Sequence, residues 1–223
     1  MNVEEILNIL KNEFENWPED KATVKKMIKV HNNEPFKSLI MAVLSTQTKD
    51  SITSEISKKL FEIADSPEKI LALTDEELEK LLKPISFYKR KVKYIKEISK
   101  IILEKYKGKI PNNYEEIINL PGVGRKVANV FLSNVYKKDL IAVDVHVHRI
   151  SNRLGWVKTK NTLQTEKELY KVIPKHLWRD VNLYLVAFGQ AICSYKPKCS
   201  ICPIYKFCPY PNKNLSYKFK AKP

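Results

Sequence analysis

The sequence predicts an all-α protein. Three observations carry this. Apolar residues recur at helical spacing along most of the chain, strand alternation and hairpin signals are nearly absent, and cap residues stand between the apolar stretches. About ten helices are expected.

The first segment, MNVEEILNILKNEFENW, places Val3, Ile6, Leu7, Leu10, Phe14 and Trp17 on one face of an amphipathic helix. It is acidic near its start and has no basic stretch followed by an apolar block, so it does not read as a signal peptide. No apolar run approaches membrane-spanning length. A cytoplasmic protein with no membrane partner is expected.

PFKSLIMAVLSTQTKD (35–50) reads as a buried helix running into a polar end, and SITSEISKKLFEIA (51–64) as an amphipathic one. Ser66 followed by Pro67 fits an N-cap with proline at the first helical position. Thr74 and Glu77 have capping-box spacing ahead of ELEKLLK. KRKVKYIKEISKIILEKY (89–106) is a long amphipathic helix stopping near Gly108. Asn113 and Glu116 repeat the capping-box spacing. Asp144 fits the cap of a helix through Leu154, with Gly155 just past its end. TEKELYKVIP and WRDVNLYLVAFGQAIC complete the helical pattern. There is no low-complexity linker and no repeat.

Charge is concentrated. The 223 residues carry 40 Lys and Arg against 25 acids, a formal net charge of +15. Residues 83–109 hold ten Lys/Arg and two acids; residues 194–223 hold seven Lys and no acid. Those two stretches account for the whole excess. A localised basic excess fits a polyanionic partner such as nucleic acid. A Lys/Glu-rich, Gln-poor chain also fits thermal adaptation.

INLPGVGRKVANV (118–130) spends two of the chain's five glycines, Gly122 and Gly124, within three residues. Helix, short turn, helix is the expected geometry, with both glycines permitting positive φ and close approach of other groups. The N–H groups opening the second helix suit a phosphate. An ordinary helix–helix turn fits the same residues. Lys126 follows Arg125 at the start of that helix. An ordinary lysine is neutral in only about one molecule in 2,500 at pH 7. A positive helix end, the neighbouring arginine and partial burial each favour the neutral amine that a nucleophilic lysine needs. A charged phosphate contact needs no such tuning. Asp144, eighteen residues on, fits either a simple N-cap or a carboxylate stabilising a developing cation.

Cys193, Cys199, Cys202 and Cys208 are confined to sixteen residues. In a reducing compartment such clustering favours metal over disulfide. Four thiolates can wrap one tetrahedral zinc or one iron–sulfur cube. Only one tight pair exists here, and the longer outer spacings tilt the reading toward a cluster. Lys196 and Lys198 are then expected to face solvent or a phosphate.

LPGVGRKVANV, the aspartate in VDVHVHR and the four-cysteine loop together resemble the endonuclease III family, helix-hairpin-helix DNA glycosylases with an iron–sulfur cluster. LSTQTKD (44–50) and ISFYKRKVKYI (85–95) resemble further family segments in the right order, and the resemblance runs from about residue 20 to 210. It implies two packed helical domains with a DNA cleft between them. One is a six-helix bundle over 28–138, with the hairpin at about 114–133. The other joins 1–27 to 139–223 and carries the cluster loop at 193–208.

The resemblance also implies roles. Lys126 attacks C1′ of a damaged nucleotide and holds the sugar as a Schiff base, and β-elimination cuts the strand. Asp144 assists. Gly122, Gly124 and Arg125 meet the DNA backbone; Gln47 fills the gap left by the flipped nucleotide; Phe87 wedges into the opposite strand. The four cysteines hold a [4Fe–4S] cluster, and the carbonyls of Ile118, Leu120 and Val123 hold a monovalent cation. The expected protein is a monomer that acts on damaged double-stranded DNA and removes oxidised pyrimidines. Thymine or uracil mismatches and 8-oxoguanine are alternative substrates. A non-catalytic DNA-binding protein with structural zinc is the alternative from another class. This chain departs from the family in three places. The first cysteine spacing is five residues rather than six, Phe87 replaces a more usual leucine, and Ser86 replaces a glycine.

Overall fold

The computed structural model of the protein describes residues 2–32 and 34–216. Among these it contains twelve α-helices, three short 3-10 turns and no strand. In chain order the helices are α1 (Val3–Phe14), α2 (Val24–His31), α3 (Pro35–Leu44), α4 (Asp50–Ile63), α5 (Pro67–Ala72), α6 (Asp75–Leu82), α7 (Tyr88–Glu104), α8 (Tyr114–Ile118), α9 (Arg125–Val135), α10 (Val145–Arg153), α11 (Thr162–Val172) and α12 (Trp178–Ala191). Among the described residues no helix is long and apolar enough to cross a membrane. The chain divides into two compact units, one contiguous over Lys25–Lys138 and one joining Met1–Val24 to Asp139–Pro223. Lys218, Lys220 and Lys222 of the basic C-terminal stretch lie outside the described residues.

In the discontinuous unit, α12 is the central element. Asn2 caps α1, its side chain accepting from the Glu4 amide at 3.0 Å. Val3, Ile6, Leu7 and Leu10 form the buried face of that helix, which packs on α12. Trp17 then stacks on Phe188 of α12 with ring centroids 5.9 Å apart. Helix α10 also lies against α12, and Gly189 permits the approach. A Cβ there would stand 2.6 Å from Nδ1 of His146. The end of α10 closes as the sequence predicts. Gly155 takes φ +69, its amide bonds the Asn152 carbonyl and the Trp156 amide bonds the Ser151 carbonyl. That is a Schellman arrangement.

The contiguous unit is built around α3, α7 and α9. Leu39, Ile40 and Leu44 of α3 are fully buried, and α3 packs on α7 and α9. Val92, Ile95, Ile98 and Ile102 form the buried stripe of α7, against which α5 and α6 rest. Phe131 anchors α9 with 1% of its surface exposed; burying a side chain of that size stabilises by about 1.5–3 kcal/mol. The expected caps form. Ser66 accepts from the Lys69 amide, and Thr74 and Glu77 exchange both bonds of a capping box. Asn113 differs in one bond: it accepts from the Glu116 amide at 2.9 Å, but the Glu116 carboxylate returns to the Asn113 side-chain amide instead of the backbone.

Candidate functional site

The hairpin joins α8 to α9. Leu120 bonds back to Ile117 and Val123 back to Leu120, so two tight turns reverse the chain. The two glycines do different work. Gly122 takes φ +71, and a Cβ on it would lie 2.4 Å from Cδ2 of Tyr94. It is demanded by the turn and by that ring. Gly124 does not take positive φ: it is extended at φ −93, caps α9 and has open space where a Cβ would point. Its use is the room it leaves outside. No side chain caps α9 and its first turn holds no acid, so the positive end of the helix is not offset from within. Arg125 folds back over Tyr114, its guanidinium carbon 5.8 Å from the ring centroid. Half-buried Lys126 sits on the same first turn.

Gln47 and Phe87 lie in two loops that the fold brings together. The amide of Ser86 donates to Oγ1 of Thr48 at 3.2 Å. Both residues adopt left-handed backbone, with φ +53 at Gln47 and +57 at Phe87. That conformation costs a non-glycine residue roughly 1–2 kcal/mol. Phe87 presents 61% of its surface to solvent, with the Arg90 guanidinium 6.0 Å from its ring centroid. Gln47 is exposed as well; Asn32, Lys107 and Lys137 take the same backbone at other turns.

Holding those loops is a residue that sequence reasoning missed. Lys91 of α7 is only 3% exposed. Its ammonium donates to the carbonyls of Leu44 at 2.8 Å and Thr46 at 2.6 Å, and to Oγ1 of Thr48 at 3.1 Å. Burial pulls its pKa down to about 8, so at neutral pH it remains an ammonium with one N–H for each acceptor. It also serves the carbonyls at the C-terminal, negative end of α3. The available signal was its place on the stripe that continues through Ile95, Ile98 and Ile102.

Asp144 belongs to the discontinuous unit. It caps α10 through Oδ1 alone, which accepts from the amides of His146 at 2.8 Å and Val147 at 2.9 Å. Along the same helix, Arg149 and Arg153 reach the cysteine loop. Arg149 donates to the Cys193 carbonyl through Nε at 3.3 Å and NH2 at 3.0 Å. Arg153 donates to Sγ of Cys193 at 3.3 Å, the Ser194 carbonyl at 2.6 Å and the Tyr195 carbonyl at 3.1 Å.

Cys193, Cys199, Cys202 and Cys208 line one cavity. Cys193 follows α12 directly; Cys199 opens one 3-10 turn, Cys202 ends it, and Cys208 ends the next. Burial raises the Cys193 thiol against the opposing pull of Arg153, and pushes Cys202 up to about 12. One expectation is corrected. Lys198 does not face outward: its ammonium donates to the Ala191 carbonyl at 2.9 Å, at the end of α12. A helix terminus supplies carbonyls that a nearby lysine satisfies. Lys196 is exposed.

Residues 40–175 match the family model described as HhH-GPD superfamily base excision DNA repair protein. The match defines the class: a helix-hairpin-helix DNA-repair protein. Endonuclease III of Thermotoga maritima is 44% identical over 189 residues, which cover 84% of this chain and 89% of that one. Endonuclease III of Bacillus subtilis is 40% identical over 181 residues, covering 80% and 82%. A solved structure of a trapped endonuclease III–DNA covalent intermediate superposes with a TM-score of 0.74 at 35% identity, covering 83% of this chain and 92% of that one. The chain belongs to the endonuclease III family.

Proposed function

We propose that this chain is a bifunctional DNA glycosylase and AP lyase of base excision repair that removes oxidised pyrimidines from double-stranded DNA. The observation that carries this reading is the hairpin. Gly124 leaves the uncapped start of α9 open to a phosphate, and Lys126 stands on that same turn.

The chemistry assigned to Lys126 starts from its neutral amine. The Nζ lone pair attacks C1′ of an extruded nucleotide, the glycosidic bond breaks, and the base leaves with the bonding pair. The amine gives up a proton as the sugar ring opens to a Schiff base. Loss of a C2′ proton then expels the 3′ phosphate, cutting the strand, and hydrolysis frees the lysine. Asp144 stabilises the cationic sugar or takes the amine's proton; its cap uses only Oδ1. Gln47 and Phe87 enter the opened duplex, and Gly122, Gly124 and Arg125 seat the backbone. The carbonyls of Ile118, Leu120 and Val123 are the candidates for holding a monovalent cation in the hairpin.

Cys193, Cys199, Cys202 and Cys208 are the candidates for holding a [4Fe–4S] cluster. All four cysteines line one cavity. Ionising a thiol as buried as Cys202 requires a cation beside it, which metal ligation provides. Such a group would fix the loop that carries Lys196.

The test is covalent trapping. Incubation with abasic-site DNA and borohydride should give an adduct that Lys126→Ala abolishes; no adduct with the wild type would leave a non-catalytic DNA-binding protein. Duplexes carrying thymine glycol, uracil, a G:T mismatch or 8-oxoguanine decide the base. Preference for any of the last three would replace oxidised pyrimidine as the substrate.

A further inference from the structure

We propose that Lys91 and Thr48 form a positioning pair that sets Gln47 and Phe87 for extrusion of the target nucleotide. The proposal rests on the reading of Gln47 and Phe87 as groups that enter the opened duplex. The connections are direct. Lys91 bonds the carbonyl of Thr46 and the hydroxyl of Thr48, the two neighbours of Gln47. Its backbone amide bonds the carbonyl of Phe87 at 3.2 Å. That last bond is the ordinary first-turn bond of α7, so the Lys91 side chain holds the Gln47 loop and the Ser86 amide on Thr48 ties the Phe87 loop to it.

Thr48 completes the bridge. Its hydroxyl donates to the Thr46 carbonyl at 3.4 Å and accepts from Lys91 and from the Ser86 amide. A hydroxyl has one proton and two lone pairs, so its capacity is filled. The Lys91 ammonium has three protons and three acceptors. A network satisfied at every member favours one arrangement, because a shift of the Gln47 loop leaves the buried Lys91 ammonium short of an acceptor. Gln47 and Phe87 are the two left-handed residues on these loops, and such backbone persists where its surroundings over-determine it. Their side chains stay exposed, while the half-buried Thr46 and Thr48 beside Gln47 are held by the buried Lys91 ammonium. Neither Lys91 nor Thr48 touches DNA in this scheme.

Extrusion is needed for a base stacked in duplex DNA and not for a single-stranded abasic site, so the two substrates separate the roles. Thr48→Val and Lys91→Met should lower kcat for base removal from a thymine glycol duplex by about tenfold or more. Borohydride trapping on a single-stranded abasic oligonucleotide should stay within about twofold of wild type. Placing the lesion in an unpaired bulge should restore most of the lost rate. A purely structural role predicts equal losses on both substrates, and that result, or an unaffected duplex rate, overturns the proposal. Thr48→Val carries the test whether or not Lys91→Met folds. Gln47→Ala and Phe87→Ala keep the underlying reading separate. If they leave duplex turnover unchanged, that reading fails and the positioning proposal falls with it. If they slow it while Thr48→Val does not, only the positioning pair fails.

Discussion

Tyr94 lays its ring where any side chain at residue 122 would stand: a Cβ on Gly122 would meet Cδ2 of Tyr94 at 2.4 Å and Cε2 at 2.8 Å. The hairpin and α7 are fitted to each other at this point. Gly122→Ala adds the strain of φ +71 to that clash, and the two together should cost about 2–5 kcal/mol. Denaturant unfolding measures it. Gly124→Ala meets nothing within 4 Å and sits at φ −93, so its stability cost should stay below about 1 kcal/mol. DNA affinity should nevertheless weaken, because the methyl occupies the approach to the helix start. A Gly124→Ala protein that binds DNA normally would remove the phosphate role from this glycine.

Asp144 offers a separation of cap from charge. Asparagine caps helices about as well as aspartate, whereas alanine loses roughly 0.5–2 kcal/mol. Asp144→Asn should therefore keep thermal stability close to wild type while slowing base removal by an order of magnitude or more. DNA binding should persist. Normal turnover in Asp144→Asn would return this residue to capping alone.

Lys91 predicts a pH dependence of stability. Its folded pKa, about 8, lies below the ordinary lysine value of 10.5. Between those values the unfolded chain holds more protons than the folded one, so the Lys91 contribution to stability rises with pH and is flat below the window. Lys91→Met cannot titrate. The stability of wild type relative to Lys91→Met should climb from about pH 8 upward, by at most about 3 kcal/mol by pH 10.5. Parallel denaturation curves at pH 7, 8, 9 and 10 test this, and a constant difference would contradict it.

Arg153 holds three successive residues of the cysteine loop, through Sγ of Cys193 and the carbonyls of Ser194 and Tyr195. Arg153→Met keeps much of the stem and removes the donors. It should cost about 1–3 kcal/mol and speed alkylation of the cysteines by iodoacetamide. Unchanged alkylation would mean the loop is held by other contacts.

Local chemistry was legible in the sequence and distant partnership was not. Ser66, Thr74, Asn113, Asp144 and Gly155 each sit at the helix end their residue type implies, because caps act within four residues of themselves. Lys91 bonds Leu44 across 47 positions, and nothing near Lys91 announces those carbonyls. Lys198 was misread for the same reason: its partner, Ala191, is close in sequence, but only the fold shows that the helix end faces it. The different conformations of Gly122 and Gly124 were likewise hidden, since composition gives permission for positive φ and not its use. At the site, the resemblance supplied the roles, whereas Lys91 emerged only from the packing of α7 against the end of α3.

Helix α10 is nine residues long, a rod of about 13 Å. Asp144 is fixed at one end, and Arg149 and Arg153 grip the cysteine loop from the other half. The carboxylate and the thiol loop are thus two ends of one lever, with Gly189 of α12 as the notch it rests in. Damage at the cysteines is therefore expected to propagate to the carboxylate. Graded oxidation should lower base removal in step with the loss of intact loop, while spectroscopic helix content still reads as native.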